Sequence, residues 1–197
     1  LVLLAMQQFE KRKLYSRLEP SLQRDVRAFF GDYTSARELA KQMLFKVGDI
    51  EAIDRACREA SENGLGWREE SQSLQFHINL LERLPTELRI YVGCATVLCG
   101  DISTFDLVKI HIRSGKVTLM KFEDFEGSPL PRLIQRVKVS LRDQDMDVFN
   151  YGAEYPPTLL YQKSRYVNEE YLWYAEQIGF EEDLERLGLI DFSRYGP

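Results

Sequence analysis

Lys109, His111 and Arg113 alternate with apolar residues in a segment that has the period of a β-strand. Side chains two residues apart point to the same face of a strand, so a sheet buried on its other face would present these three groups together. Ammonium, imidazole and guanidinium groups on one surface are suited to binding an anion such as a phosphate. The spacing therefore predicts an anion-binding surface on a β-sheet.

Two β-hairpins are predicted to form that sheet. Apolar residues recur with strand spacing over 105–112 and 117–122, and the turn between them contains Gly115, which can adopt a positive φ. A second pair of strands is predicted over 134–141 and 146–151. We expect the sheet to be mainly antiparallel, because hairpins join neighbouring antiparallel strands.

Charge is distributed unevenly along the chain. The net charge of −5 argues against a protein that coats nucleic acid without preference. Between Leu107 and Arg142, however, eight Lys and Arg stand against three Asp and Glu, whereas after Tyr151 nine Asp and Glu outnumber four Lys and Arg. The basic sheet could bind an anion, or it could pair with the acidic C-terminal region.

The sequence indicates neither a metal site nor a cofactor site. Cys57, Cys94 and Cys99 lack metal-ligand spacing, and their odd number favours reduced thiols in a cytoplasmic protein. The nearest approach to a glycine-rich cofactor loop, Gly64-Leu65-Gly66, does not follow an apolar strand as such loops do. We therefore predict no catalytic residue, no metal and no cofactor in this chain.

Two further groups allow alternative interpretations. His111 with Asp124 could act in proton transfer, but a hydrogen-bonded surface histidine and an aspartate that caps backbone amides account for the pattern better. The Tyr-rich segment 151–174 contains Lys163, and its aromatic side chains could stack on bases, pack against the fold or anchor a partner protein.

The rest of the chain is helical by period. Three short helices are predicted before residue 62, one of which ends at Gly31, one of which starts near Thr34-Ser35 and one of which Asp49 caps. Another is predicted from Glu87 to Cys99 with Thr86 as its N-cap, and a last one over 168–187.

The polar residues 62–73 are the predicted boundary between two domains. We expect a helical subdomain, residues 1–62, followed by an α+β domain, residues 74–197, with an antiparallel sheet, flanking helices and an acidic helical tail.

The apolar run at Leu1 is too short for a signal peptide, and no run reaches the roughly 20 residues of a membrane span, so no membrane partner is expected. Because the chain starts at Leu1 within a helical pattern, we expect a fragment boundary there.

The chain resembles, over nearly its whole length, the C-terminal region of the DNA phosphorothioation-associated methyltransferases. These are bacterial proteins encoded near systems that replace a phosphate oxygen of DNA with sulfur. The resemblance is carried by segments in conserved order: 22–33, 84–98, 107–111, 116–117, 122–125, 129–133 and 156–167. The last family motif usually reads Pro-Pro-Ile-Leu-His-Arg-Lys-Glu, and of its polar residues only Lys163 matches here.

The resemblance implies a role in DNA modification. Catalysis in the family belongs to an N-terminal Rossmann-like domain that binds S-adenosylmethionine, so this chain corresponds to a non-catalytic accessory region that positions DNA or partner proteins. The residues expected to contact nucleic acid are Lys109, His111, Arg113, Lys116, Lys138 and Lys163. The alternative is a protein-interaction module of a DNA modification or restriction assembly, with the Tyr-rich acidic C-terminal region as its contact surface.

Overall fold

The structure is a computed structural model that describes residues 1–9, 15–188 and 190. Its α-helices are α1 Val2–Phe9, α2 Pro20–Phe30, α3 Tyr33–Lys46, α4 Ile50–Glu62, α5 Thr86–Cys99 and α6 Tyr174–Leu187. Its strands are β1 Trp67–Glu69, β2 Ser73–His77, β3 Leu107–His111, β4 Lys116–Glu123, β5 Arg132–Ser140, β6 Asp145–Asn150 and β7 Thr158–Leu159. Short 3₁₀ helices span Tyr15–Arg17, Ile78–Arg83 and Lys163–Tyr166. Asp191 and Arg194, which contribute to the charge of the C-terminal region, lie outside the described residues.

The strands form one antiparallel sheet in the order β1-β2-β3-β4-β5-β6, and β7 pairs with the beginning of β5. Each strand from β1 to β5 pairs with the next in sequence, and the connection from β2 to β3 contains a 3₁₀ helix and α5. Both predicted hairpins are confirmed, and Gly115 takes a φ of 66° in the turn between β3 and β4. With helices on both sides of this sheet, the chain has the predicted α+β fold.

One face of the sheet, which we call the helical face, carries Val108, Ile110, Val117 and Leu119 and packs against α4 and α5. All four of these side chains are fully buried. The opposite face carries Lys109, which faces away from those helices because neighbours along a strand point to opposite sides. We call it the open face. It is covered at one end only, where the C-terminal segment packs on Leu107 and Phe122 in a second, smaller cluster.

Helix α5 lies between the sheet and the N-terminal helices. Its Leu88 and Val92 belong to the core on the helical face, whereas Ile90 and Cys94 pack with α1, α2 and α3. A helix buried on two sides must be apolar over most of its circumference. This explains why Ile90, Tyr91 and Cys94 are buried in addition to Leu88 and Val92.

Aspartate side chains cap the N-termini of two helices. Asp49 caps α4 as predicted, because its Oδ1 accepts hydrogen bonds from the backbone amides of Glu51 at 3.0 Å and Ala52 at 3.3 Å. The start expected for α3 at Thr34-Ser35 is wrong by two residues, since Asp32 is the cap and accepts from the Ser35 amide at 2.9 Å.

Two other predicted starts need correction. Thr86 is the first residue of α5 and not its N-cap, which is Pro85. Helix α6 begins at Tyr174 and not at residue 168, because Asn168 instead forms a turn in which its Oδ1 accepts from the Glu170 amide at 3.2 Å.

The predicted linker, residues 62–73, contains strand β1, which pairs with β2. Glycine at position 66 allows the backbone to approach β2 closely, because a Cβ there would lie 2.4 Å from the Gln75 carbonyl oxygen. The φ of Gly66 is 117°. Gly66 therefore serves strand packing, whereas a Cβ at Gly64 would meet no atom within 4 Å. Because α4 and the sheet share one core, the two predicted domains are in contact, and the boundary between them stays a prediction.

Candidate nucleic-acid interface

The open face brings together four of the six residues predicted to contact nucleic acid. Lys109 on β3 is paired with Thr118 on β4, which is in turn paired with Lys138 on β5. His111 is paired with Lys116 one register position further along. Strands lie about 4.8 Å apart, so the backbones of Lys109 and Lys138 are about 10 Å apart across the sheet. The prediction that Lys109 and His111 share a face is confirmed.

The exposure of the three lysines differs. Lys116 is exposed, whereas Lys109 and Lys138 are half-buried and lie on either side of Thr118, which is 3% exposed. Aliphatic lysine stems beside a buried threonine cover the sheet while their ammonium groups stay at the surface. Arg113 follows the end of β3, and its Nε donates to the Ser71 carbonyl oxygen at 3.3 Å, so it lies at the rim of this face.

Arg136 is a cation of the open face that was not among the predicted residues. It pairs with Phe149 across β5 and β6, and its guanidinium lies 5.0 Å from the Phe149 ring and 5.5 Å from the Tyr151 ring. The Lys138 ammonium lies 5.4 Å from the same Phe149 ring. These cation–π contacts hold the two charges against the sheet. The signal for Arg136 was present in the sequence, because it is two residues from Lys138.

Acidic side chains on the same face reduce its positive charge. Glu69 Oε2 lies 3.3 Å from Lys109 Nζ, and Asp147 is paired with Lys138 in the register of β5 and β6. Asp145 occupies the same face at the end of β6. The positive potential of the open face is therefore smaller than the sequence count suggests.

His111 is not a cation at neutral pH. Burial, together with the smaller effect of the nearby ammonium groups of Lys109, Lys138 and Lys116, lowers its pKa from the ordinary 6.5 to about 4. Its Nε2 lies 2.9 Å from Thr118 Oγ1, which gives the neutral ring a hydrogen-bond partner. His111 can thus offer a hydrogen bond to an anion, but not the positive charge expected from the sequence.

Lys163 does not lie on the open face, against the expectation from the sequence. Its side chain is 1% exposed, and its Nζ donates to the carbonyl oxygens of Phe125 at 2.8 Å and Ser128 at 2.9 Å and to Tyr171 Oη at 3.2 Å. Burial lowers the pKa of the ammonium group. Because its three N–H groups are all used within the protein, Lys163 is not available to a phosphate.

The acidic loop after β4 is structural, as the sequence analysis favoured. Asp124 adopts a φ of 50°, and its Oδ1 accepts from the Gly127 amide at 3.1 Å. His111 pairs with the first residue of β4 and Asp124 follows the last, so the two are about 26 Å apart along the strand. They cannot act on the same substrate atom.

His77 is a buried titratable residue that the sequence analysis did not select. It is 5% exposed and stacks on Phe125 with ring centroids 5.0 Å apart, and its Nδ1 accepts from the Asn79 amide at 3.4 Å. Burial is the main reason that its pKa is lowered, although Glu126 Oε1, 3.9 Å from Nε2, acts in the opposite direction. His77 ends β2 and caps the following 3₁₀ helix, so its contacts account for its position.

The remaining chemistry of the described residues is limited. Within residues 1–9, 15–188 and 190, no group of three or more His, Cys, Asp or Glu side chains is placed to hold a metal ion. The three cysteines are free, and burial raises the pKa of Cys57 to about 12 and of Cys94 to about 11. In the same part of the chain, no helix has both the length and the apolar character needed to cross a bilayer.

Comparison with known proteins leaves the interface to be interpreted from its own geometry. No protein-family model, no curated protein and no solved structure matches this chain.

Proposed function

We propose that this chain is a non-catalytic accessory module of a DNA-modification enzyme and that it binds the DNA backbone through the open face. The observation that carries the proposal is the strand register, which places Lys109, Lys116 and Lys138 on neighbouring strands of one uncovered surface. Long, mobile ammonium groups at this spacing are suited to phosphates, which repeat along a nucleic-acid backbone.

The distribution of charge supports binding in one orientation. The chain as a whole carries −5, and α6 carries five of its acidic residues, so a DNA backbone is repelled from the C-terminal side. Attraction at the open face and repulsion elsewhere would direct an approaching duplex to the sheet. We expect weak binding without sequence preference, because the three lysines can neutralise about three phosphates and phosphate contacts carry no sequence information.

The resemblance to the phosphorothioation-associated methyltransferases supports the enzyme context of this proposal. On this interpretation, S-adenosylmethionine binding and methyl transfer are performed outside these 197 residues. The module would hold DNA near a catalytic domain and raise its effective concentration there.

The test is fluorescence anisotropy with a labelled short duplex at increasing salt. A triple variant, Lys109→Gln with Lys116→Gln and Lys138→Gln, should lose most of the affinity, and its slope of log K against log salt should become shallower by about 2.7, since each lost phosphate contact removes about 0.9. The control is Arg24→Gln with Lys41→Gln and Arg55→Gln, which removes the same charge from exposed positions on α2, α3 and α4. Equal losses in the two triple variants, or binding that does not depend on salt, would contradict the proposal.

A further inference from the structure

A pocket lies between α6 and the loop that follows β4, away from the lysines of the open face. Its volume is about 450 Å³, which lies in the range of small-ligand sites. Helix α6 and the residue before it supply Trp173, Glu176, Gln177 and Phe180. These positions follow the spacing i, i+3, i+4, i+7 and therefore share one side of the helix. The loop 126–129 forms the opposite wall.

The walls of this pocket are held in place before any ligand binds. Lys163 borders it and ties the carbonyl oxygens of Phe125 and Ser128 together. From the other side, Gln177 Nε2 donates to the Pro129 carbonyl oxygen at 3.1 Å and to Glu181 Oε1 at 2.7 Å. A ligand would thus meet a preformed site and would not have to order it, which favours binding.

The exposed charged groups of the pocket are carboxylates. The Lys163 ammonium has used its three donors, and Glu181 is occupied by Gln177 and by the amide and hydroxyl of Ser164. Glu176 and Glu126, in contrast, are exposed at the pocket, and Glu126 Oε1 also lies 3.9 Å from His77 Nε2. The loop also contains Asp124, so carboxylates outnumber the one ammonium group around the pocket.

Aromatic side chains complete the site. Trp173 is 49% exposed and Phe180 lies about two turns further along the same side of α6. A cation over an aromatic face is stabilised by the ring, best of all by tryptophan, and carboxylates beside the ring add Coulombic attraction. An anion would meet the carboxylates and is excluded. Next to the pocket in sequence, Leu172 is 77% exposed, which offers an apolar contact to a larger molecule.

We propose that this pocket binds the side chain of a lysine or arginine on a partner protein. The ammonium or guanidinium would lie between Trp173 and the carboxylates of Glu126 and Glu176, and the partner's backbone would pass over Leu172. The site is separate from the open face, so the protein would bind an acidic polymer with its sheet and a basic segment with its C-terminal helix.

The experiment uses Trp173 fluorescence in the full chain with Trp67→Phe, which leaves Trp173 as the only tryptophan. The probes are the N-acetyl methylamides of lysine and arginine, their neutral isostere norleucine, and a Leu-Lys-Leu peptide. We expect a saturable change with the cationic probes, at least tenfold weaker binding of norleucine, and tighter binding of the peptide than of the lysine derivative.

Paired variants separate this site from a general effect of charge. The double variant Glu126→Gln with Glu176→Gln should bind the lysine derivative at least tenfold more weakly. The double variant Glu182→Gln with Glu185→Gln, which changes other sides of α6, should bind it with unchanged affinity. The cation site would be overturned if the norleucine derivative bound as tightly as the lysine derivative. It would also be overturned if the two double variants had equal effects. A peptide that binds no more tightly than the lysine derivative would overturn the assignment to a partner protein. None of these outcomes depends on DNA binding.

Discussion

The ammonium group of Lys163 donates a 2.8 Å hydrogen bond to the carbonyl oxygen of Phe125, 38 residues earlier in the chain. The same group lies 5.1 Å from the rings of both Phe125 and Tyr171. One buried cation thus joins the C-terminal segment to the loop after β4 and fills the space between two aromatic rings. Its contacts are those of a structural residue, and they also build one side of the proposed cation pocket.

Replacement of this cation tests its structural role. Lys163→Met keeps the length of the side chain but leaves the Ser128 carbonyl oxygen without the ammonium donor, and the Phe125 carbonyl oxygen with only the Tyr171 hydroxyl at 3.4 Å. We expect the free energy of unfolding to fall by about 3 kcal/mol, since each buried unsatisfied group costs about 1–3 kcal/mol. Urea denaturation measures the loss. Lys116→Met is the control, because that side chain is exposed, and similar values for the two variants would contradict this role.

The pKa of His111 makes stability depend on pH. Its folded pKa is about 4 and its ordinary pKa is 6.5, so between these values the unfolded chain binds a proton that the folded chain does not. Stability therefore decreases as pH falls through this window. We expect the stability of His111→Asn to decrease less over this pH range. The measurement is the difference between the urea midpoints near pH 6.5 and near pH 4, compared between the two proteins. His77 is present in both proteins, so its own titration largely cancels in the comparison.

A direct measurement of the His111 pKa follows from the same contacts. Lys138 and Lys109 lower the pKa of His111 through their charges, so Lys138→Gln should raise it, whereas Glu69→Gln should lower it further. NMR titration of the two histidine rings can resolve both shifts. A pKa that does not respond to either substitution would mean that burial alone sets its value.

Single substitutions can locate DNA on one face of the sheet. Lys138 lies on the open face, whereas Lys121 on β4 has the opposite orientation because it is an odd number of residues from Lys116 and Thr118. Lys138→Gln should make the salt slope of DNA affinity shallower by about 0.9, and Lys121→Gln should leave it unchanged. An equal change in both would place the DNA elsewhere.

The three cysteines should differ in reactivity. Desolvation raises the pKa of all three thiols, but Cys57 and Cys94 are buried, whereas Cys99 near the end of α5 is partly exposed. We expect an alkylating reagent to modify Cys99 first, and the other two only after denaturation, because the thiolate is the reactive form. Peptide mapping after timed alkylation measures the order. Early modification of Cys57 would contradict the packing of α4 on the sheet.

The sequence determined the features that arise within a few residues. Alternation with a period of two places Lys109 and His111 on one face of β3, and Gly115 marks the turn that joins β3 to β4. Asp49 begins α4 because a carboxylate can accept from the amides two and three residues ahead. These outcomes depend on local backbone geometry, so one segment was sufficient to predict them.

The tertiary structure decided which charges remain available. Lys163 was expected at a DNA surface, but the fold buries it against a loop 35 to 38 residues away. Glu69 reaches Lys109 across 40 residues, and the fold lowers the pKa of His111 first by burying it and then by placing three lysines around it. Charge and pKa depend on neighbours in space and on exclusion of water, which a linear pattern does not contain. Strand and turn chemistry was therefore readable from the sequence, whereas the identity of the free cations required the packed chain.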